Sequence, residues 1–146
     1  MAYQFQHSVE VSVSREASWR FWTNVGNWVL DADIEWVELD GRFQPGAEGT
    51  TKTRGAELVR WRIAEVSEGK AATIEIPMPG ATARFAWRFE ALSEERSRLT
   101  QQITLSGVQA DMYTAQLGDG FEQGIRQGMK KLSQEIERSA DGRQGV

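Results

Sequence analysis

Residues 111–137 read DMYTAQLGDGFEQGIRQGMKKLSQEIE. Tyr113, Leu117, Phe121, Ile125, Leu132 and Ile136 recur at spacings of four and seven, the pattern of one long helix with a single apolar face. At about 100° per residue, Gly124 and Gly128 fall inside that stripe and Gly120 at its edge. A glycine within a helix costs about 1 kcal/mol against alanine. Three of them, four apart and facing inward, need a reason. Either the helix backbone approaches something bulky, or the space beside it stays open. Both readings point to a sheet curled around a helix, with a cavity between the two under the second.

Upstream of this helix the chain supplies the sheet. Residues 3–13 alternate Tyr, Phe, His and Val at odd positions with Gln, Ser and Glu at even ones, a half-buried strand with its odd face inward. Ser14 can cap a short helix from Arg15 to Asn24, and Gly26 separates it from a second helical turn at Trp28 and Val29. Strands follow at 34–39, 50–54, 58–66, 71–76 and 83–91, and a last one is lined by Leu99, Gln101, Ile103 and Leu105. Asp40-Gly41, Pro45-Gly46, Ser67–Lys70, Pro77–Gly80 and Ser93–Ser97 punctuate them. Turns this short require antiparallel neighbours. One apolar face per strand requires one cover, and the terminal helix is the element long enough to provide it. The opposite face would carry Arg60, Arg62, Thr73, Glu75, Arg84, Arg88, Glu90, Arg98 and Thr100, charges of both signs that pair across strands in water.

Composition narrows the partners. A chain of 146 residues fits one domain, here residues 1–138, with 139–146 as a flexible tail. Such a chain hides about 70% of its unfolded surface, enough for a core with a pocket. A net charge of −4 argues against nucleic acid. No continuous apolar run suggests membrane insertion. Without cysteine there is no thiolate chemistry, and a reducing, cytoplasmic setting fits. With a single histidine, no metal site and no cofactor are expected. Asp31, Asp33 and Glu35 form an acidic cluster without the glycine and later glutamate of a calcium loop, so a solvated loop is expected there. Gly118-Asp119-Gly120 lacks the preceding strand of a phosphate loop; a kink, or a late helix start, is the expectation.

This order of elements resembles the helix-grip fold of the START/Bet v 1-like superfamily, also called SRPBCC or polyketide cyclase/dehydrase-like proteins. The likeness runs from Tyr3 to about Glu137. It is carried by the alternating first strand, by Ser14–Trp19 opening a helix, by Asn27-Trp28, by Leu39-Asp40-Gly41 followed by Pro45-Gly46, and by the glycine-bearing last helix. The resemblance implies an α+β domain: a curved antiparallel sheet of about seven strands around a long C-terminal helix, with two short helices after the first strand. It implies a deep pocket for lipids, polyketides or other apolar small molecules. It carries no universal catalytic residue.

Candidate pocket residues follow from parity: His7, Trp36, Trp61, Trp87 and Gln101 on the sheet, and Tyr113, Leu117, Phe121, Gly124 and Gly128 on the helix. Each has two readings. His7 is the one side chain titrating near neutral pH, a candidate acid/base, or else a histidine hydrogen-bonded near a sheet edge. Gln101 interrupts an apolar run, so its amide either orients a ligand or bonds a neighbour or a water. The resemblance implies that the first and last strands pair, which would bring Gln101 near His7. Trp36, Trp61 and Trp87 either stack on a ligand or pack the core, and in the second case the helix glycines would merely admit indole rings. Tyr113 offers a hydroxyl to a pocket mouth or a rim. Trp19, Trp22 and Trp28 anchor the short helices or form a lid, and exposed ones would make a docking patch. Three functions therefore stand open: a carrier of an apolar small molecule, a cyclase/dehydratase using His7, and a protein-binding adaptor with a filled pocket. A homodimer is left open.

Overall fold

The computed structural model describes residues 3–29, 34–55, 57–117 and 120–144. Along the chain come β1 (Tyr3–Val11), α1 (Arg15–Thr23), a 3-10 turn (Val25–Trp28), β2 (Ile34–Asp40), β3 (Glu48–Thr53) and β4 (Val59–Ser67). Then follow β5 (Ala71–Met78), β6 (Ala81–Ser93), β7 (Arg96–Ser106), α2 (Ala110–Gln116) and α3 (Gly120–Gln144). Among the described residues, seven strands form one antiparallel sheet in the order β1-β7-β6-β5-β4-β3-β2. This is the α+β helix-grip architecture that the element order implies, down to the β1–β7 pairing that closes it.

Local chemistry explains the early elements. Alternation in β1 turns Phe5, His7, Val9 and Val11 toward the helix side and leaves Gln4, Gln6, Ser8 and Glu10 in solvent. The Ser14 hydroxyl accepts the Ala17 N–H at 3.1 Å and starts α1, and the Asn24 side chain accepts the Gly26 N–H to start the 3-10 turn. Pro77 does not stop β5. It lies one residue from the strand's end, opposite Thr82, where a missing N–H is tolerated.

Two irregularities reset which side chains face in. The register slips between Ile34 and Trp36 in β2, and again between Ile63 and Glu65 in β4. An extra residue reverses the parity of everything beyond it. In β2 it leaves Ile34, Val37 and Leu39 partly buried and Trp36 38% exposed. In β4 it leaves Ile63 fully buried and turns Val66, rather than Glu65, toward the core.

The closing helix is two helices. α2 ends at Gln116 and α3 begins at Gly120, two helices where a continuous periodicity suggested one; Gly118 and Asp119 lie outside the described residues. α3 also runs on to Gln144, through the stretch read as tail, and Ala140 packs against the core. α3 lies along β1 and is fastened near both of its ends. The Tyr3 hydroxyl donates to the Glu122 carboxylate at 2.7 Å, and the Ser12 N–H donates to the Glu137 carboxylate at 2.9 Å.

The core gathers at two ends. Trp19, Trp22, Phe89, Leu99, Leu132 and Ile136 belong to the larger cluster, under α1 and the C-terminal half of α3. Ala83, Leu105 and Ala110 centre a smaller one, which Tyr3, Met78, Tyr113 and Leu117 complete. On the outer face Glu75 sits between Arg62 at 2.9 Å and Arg84 at 3.4 Å, while Glu10 pairs with Arg96 and Arg98. The arginines of this face are thus engaged in a solvated charge ladder.

Candidate functional site

Between the two core clusters lies a hollow of about 370 Å³. That is within the roughly 300–1,000 Å³ of ordinary small-molecule pockets. Its floor is the concave sheet: Thr51 on β3, Trp61 on β4, Ile74 and Ile76 on β5, Phe85 and Trp87 on β6, Gln101 on β7. Its roof is the middle of α3, with Gly124, Ile125, Gly128, Met129 and Leu132. Trp22, Trp28, Ile34 and Val37 close one side. A Cβ built on Gly124 or Gly128 would meet nothing within 4 Å. The bare helix backbone therefore faces open space.

Indoles form most of one wall. Trp61, Trp28, Trp22 and Trp87 follow one another with ring centroids 5.0, 5.4 and 5.2 Å apart and planes inclined by 34–39°. Hydrogen bonds fix two of them. The Trp28 indole donates to the Trp22 carbonyl at 2.6 Å, and the Trp61 indole donates to the Thr51 hydroxyl at 3.0 Å. The Trp61 ring lies over its cross-strand neighbour Gly49, where a Cβ would fall inside the indole. Trp19 lies deeper, its indole donating to Glu68 at 3.3 Å, and it packs edge-on against Phe89. It anchors α1, as the plainer reading of it holds.

Gln101 is the polar exception. It is 6% exposed, stands in the cavity wall, and finds no hydrogen-bond partner for its amide among the described residues. Left unsatisfied, such a group costs about 1–3 kcal/mol. Among the described residues, none that lines it is acidic, basic, a histidine or a tyrosine. The described wall therefore offers carbon, π-faces, one amide and the Thr51 hydroxyl, which accepts from Trp61.

Of the residues chosen from the sequence, Trp61, Trp87, Gln101, Gly124 and Gly128 line the hollow together. The others stand elsewhere. Trp36 is turned outward by the β2 register slip. Tyr113 on α2 and Leu117 just past its end pack over the Ala83–Leu105 end, with the Tyr113 hydroxyl donating to the Pro79 carbonyl at 2.9 Å. Phe121 meets the Tyr3 ring edge-on at 6.0 Å. Tyr113 and Leu117 were projected onto one unbroken helix, and the end of α2 at Gln116 takes them off the roof, whereas Phe121 stays on α3 and is absorbed by its contact with Tyr3. His7 does pair in register with Gln101, but it is on the strand that α3 covers and is not among the lining residues.

Sequence reasoning passed over Ile74, Ile76, Met129 and Thr51, and treated Trp22 and Trp28 as anchors or lid. Strand parity alone could have placed Ile74 and Ile76. Nothing local marks Trp22 and Trp28 as wall. Trp22 is 3% exposed, which counts against a docking patch built on it.

Other chemistry is thin. Asp31 and Asp33 lie outside the described residues, and Glu35 pairs with Lys52 at 3.4 Å. Among the described residues no group of three potential metal ligands occurs, and no helix is long and apolar enough to cross a membrane. At the N-terminal end of α3, burial and then the adjoining Glu122 carboxylate push the Tyr3 phenol up to about 12, with Arg126 opposing.

Residues 2–137 match the family model described as polyketide cyclase/dehydrase and lipid transport. Norcoclaurine synthase from Thalictrum flavum superposes with a TM-score of 0.74 at 11% identity, over 96% of this chain and 97% of that one. The Zhui aromatase/cyclase from Streptomyces sp. R1128 gives 0.72 at 15%, over 96% of each chain. Ara h 8.0201 gives 0.67 at 17%, over 95% of this chain and 97% of that one. At these identities the likeness is one of fold. No curated protein matches the sequence.

Proposed function

Because the chain belongs to the polyketide cyclase/dehydrase and lipid transport family, we propose that it is a binding protein for an apolar small molecule held between the sheet and α3. The observation that carries this reading is the hollow itself: about 370 Å³, walled by indoles and aliphatic side chains and roofed by helix backbone facing open space. Affinity would come from burying ligand carbon, at about 25 cal/mol per Å². A hollow left empty would forfeit dispersion contacts along its lining.

A cyclase or dehydratase would need an acid or base within hydrogen-bond reach of its substrate. The described lining residues supply none, and His7 stands outside them, so the binding reading is the stronger. An adaptor with a filled pocket is disfavoured by the open volume and by the burial of Trp22.

Native mass spectrometry of the purified chain, together with quenching of its tryptophan fluorescence by naphthalene, tests the proposal. A retained small molecule, or saturable quenching that Gly124→Leu abolishes, supports it. Non-saturable quenching that is the same in wild type and Gly124→Leu overturns it.

A further inference from the structure

Gln101 narrows the occupant of this hollow. Its side chain is more than nine-tenths buried, stands in the cavity wall, and makes no hydrogen bond with any described residue. Its flanking positions in the ladder are His7 on β1 and Trp87 on β6. Buried amides in folded proteins are nearly always paired. Here the partner must come from what fills the hollow: water when it is empty, a ligand atom when it is full. A guest that displaces such a water without replacing its hydrogen bonds loses affinity. A site equipped to hydrogen-bond its ligand likewise discriminates against the analogue lacking that group.

Charge is selected as strongly. Among the described residues, none of the lining side chains is ionisable, and the Thr51 hydroxyl accepts from Trp61. A carboxylate or ammonium would enter without a counter-ion and give up its hydration. The run of indoles from Trp61 to Trp87 favours aromatic rings, by stacking or by edge contacts. The volume equals about a dozen waters at roughly 30 Å³ each, which suits two or three fused rings.

Resting on the binding function proposed above, we infer that Gln101 is the specificity-determining residue of the cavity. It selects an uncharged aromatic ligand carrying a hydrogen-bonding group at the end that meets β7.

Three matched probes test this: naphthalene, 2-naphthol and 2-naphthoate, titrated by tryptophan quenching into wild type and Gln101→Leu. In wild type, 2-naphthol binds about tenfold tighter than naphthalene, and 2-naphthoate at least tenfold more weakly than 2-naphthol. In Gln101→Leu, naphthalene binds as well as before or better, and the preference for 2-naphthol disappears. Because the leucine replaces an amide without a partner among the described residues, the variant keeps or raises its thermal midpoint. If wild type binds naphthalene and 2-naphthol equally, or Gln101→Leu keeps the preference, the role of Gln101 is overturned and the binding function stands. If wild type takes up none of the three, both fall.

Discussion

Two sets of glycines face the inside of this protein, and they do opposite things. Gly49 on β3 is filled: the Trp61 indole lies across it, so the missing side chain has been replaced by a neighbour's ring. Gly124 and Gly128 on α3 are bare: nothing approaches the place a side chain would occupy. The same residue type therefore serves packing on the sheet and emptiness on the helix. Sequence raised both explanations for the helix glycines. The structure assigns ring admission to the sheet glycine and leaves the helix glycines beside a hollow.

That contrast can be broken most severely at Gly49. Gly49→Ala drives a methyl into the indole, and overpacking of this kind costs about 1–3 kcal/mol or more. Urea unfolding should show that loss, and Gly49→Ala/Trp61→Leu should be less unstable than the two single effects summed, since the clash is gone. Additive losses would mean the ring does not depend on the glycine. On the helix, Gly124→Leu should leave folding intact and weaken naphthalene binding by at least tenfold, about 1.4 kcal/mol. Gly124→Ala and Gly128→Ala sharpen the comparison further. Each should raise stability by about 0.5–1 kcal/mol through helix propensity alone, the reverse of Gly49→Ala in sign. A loss there would show that the helix is packed against something after all.

A further effect, of similar size to that of the helix alanines, concerns what holds the roof in place. Tyr3 ties Glu122 at the first turn of α3, two residues ahead of Gly124. Tyr3→Phe should cost about 0.5–1.5 kcal/mol at neutral pH. The fold raises the phenol's pKa to about 12, so it favours the neutral form. That contribution is complete below pH about 10 and fades as pH rises through about 12. Wild type and Tyr3→Phe should therefore converge in stability over that alkaline window, and a constant gap would contradict the assignment.

Much of this was legible beforehand because it depends on local pattern. Alternation placed β1, β6 and β7, and it put Trp61, Trp87 and Gln101 on the inner face. Turn residues delimited the hairpins, and Ser14 announced α1. Failures came where an extra residue or a break reset the phase. One register slip turned Trp36 to solvent although its parity pointed inward. The separation of α2 from α3 carried Tyr113 and Leu117 to the far end of the sheet, while Phe121 went to Tyr3. Periodicity has no term for a phase change. Trp22 came to the wall through the packing of α1 on β6, and Trp28 through the 3-10 turn's packing on β2 and its ring against Trp61, long-range contacts that no spacing encodes.

By itself the sequence determined the strand-and-helix order, the family and the presence of glycines where a helix should be filled. Each of these is written in residues a few positions apart. Tertiary structure alone decided that Trp61 folds onto Gly49, that the hollow stays open, and that the Gln101 amide has no partner among the described residues. Those outcomes depend on where side chains from distant strands end once the sheet curves. Volume and unmet hydrogen bonds belong to the assembled surface and to no single segment of the chain.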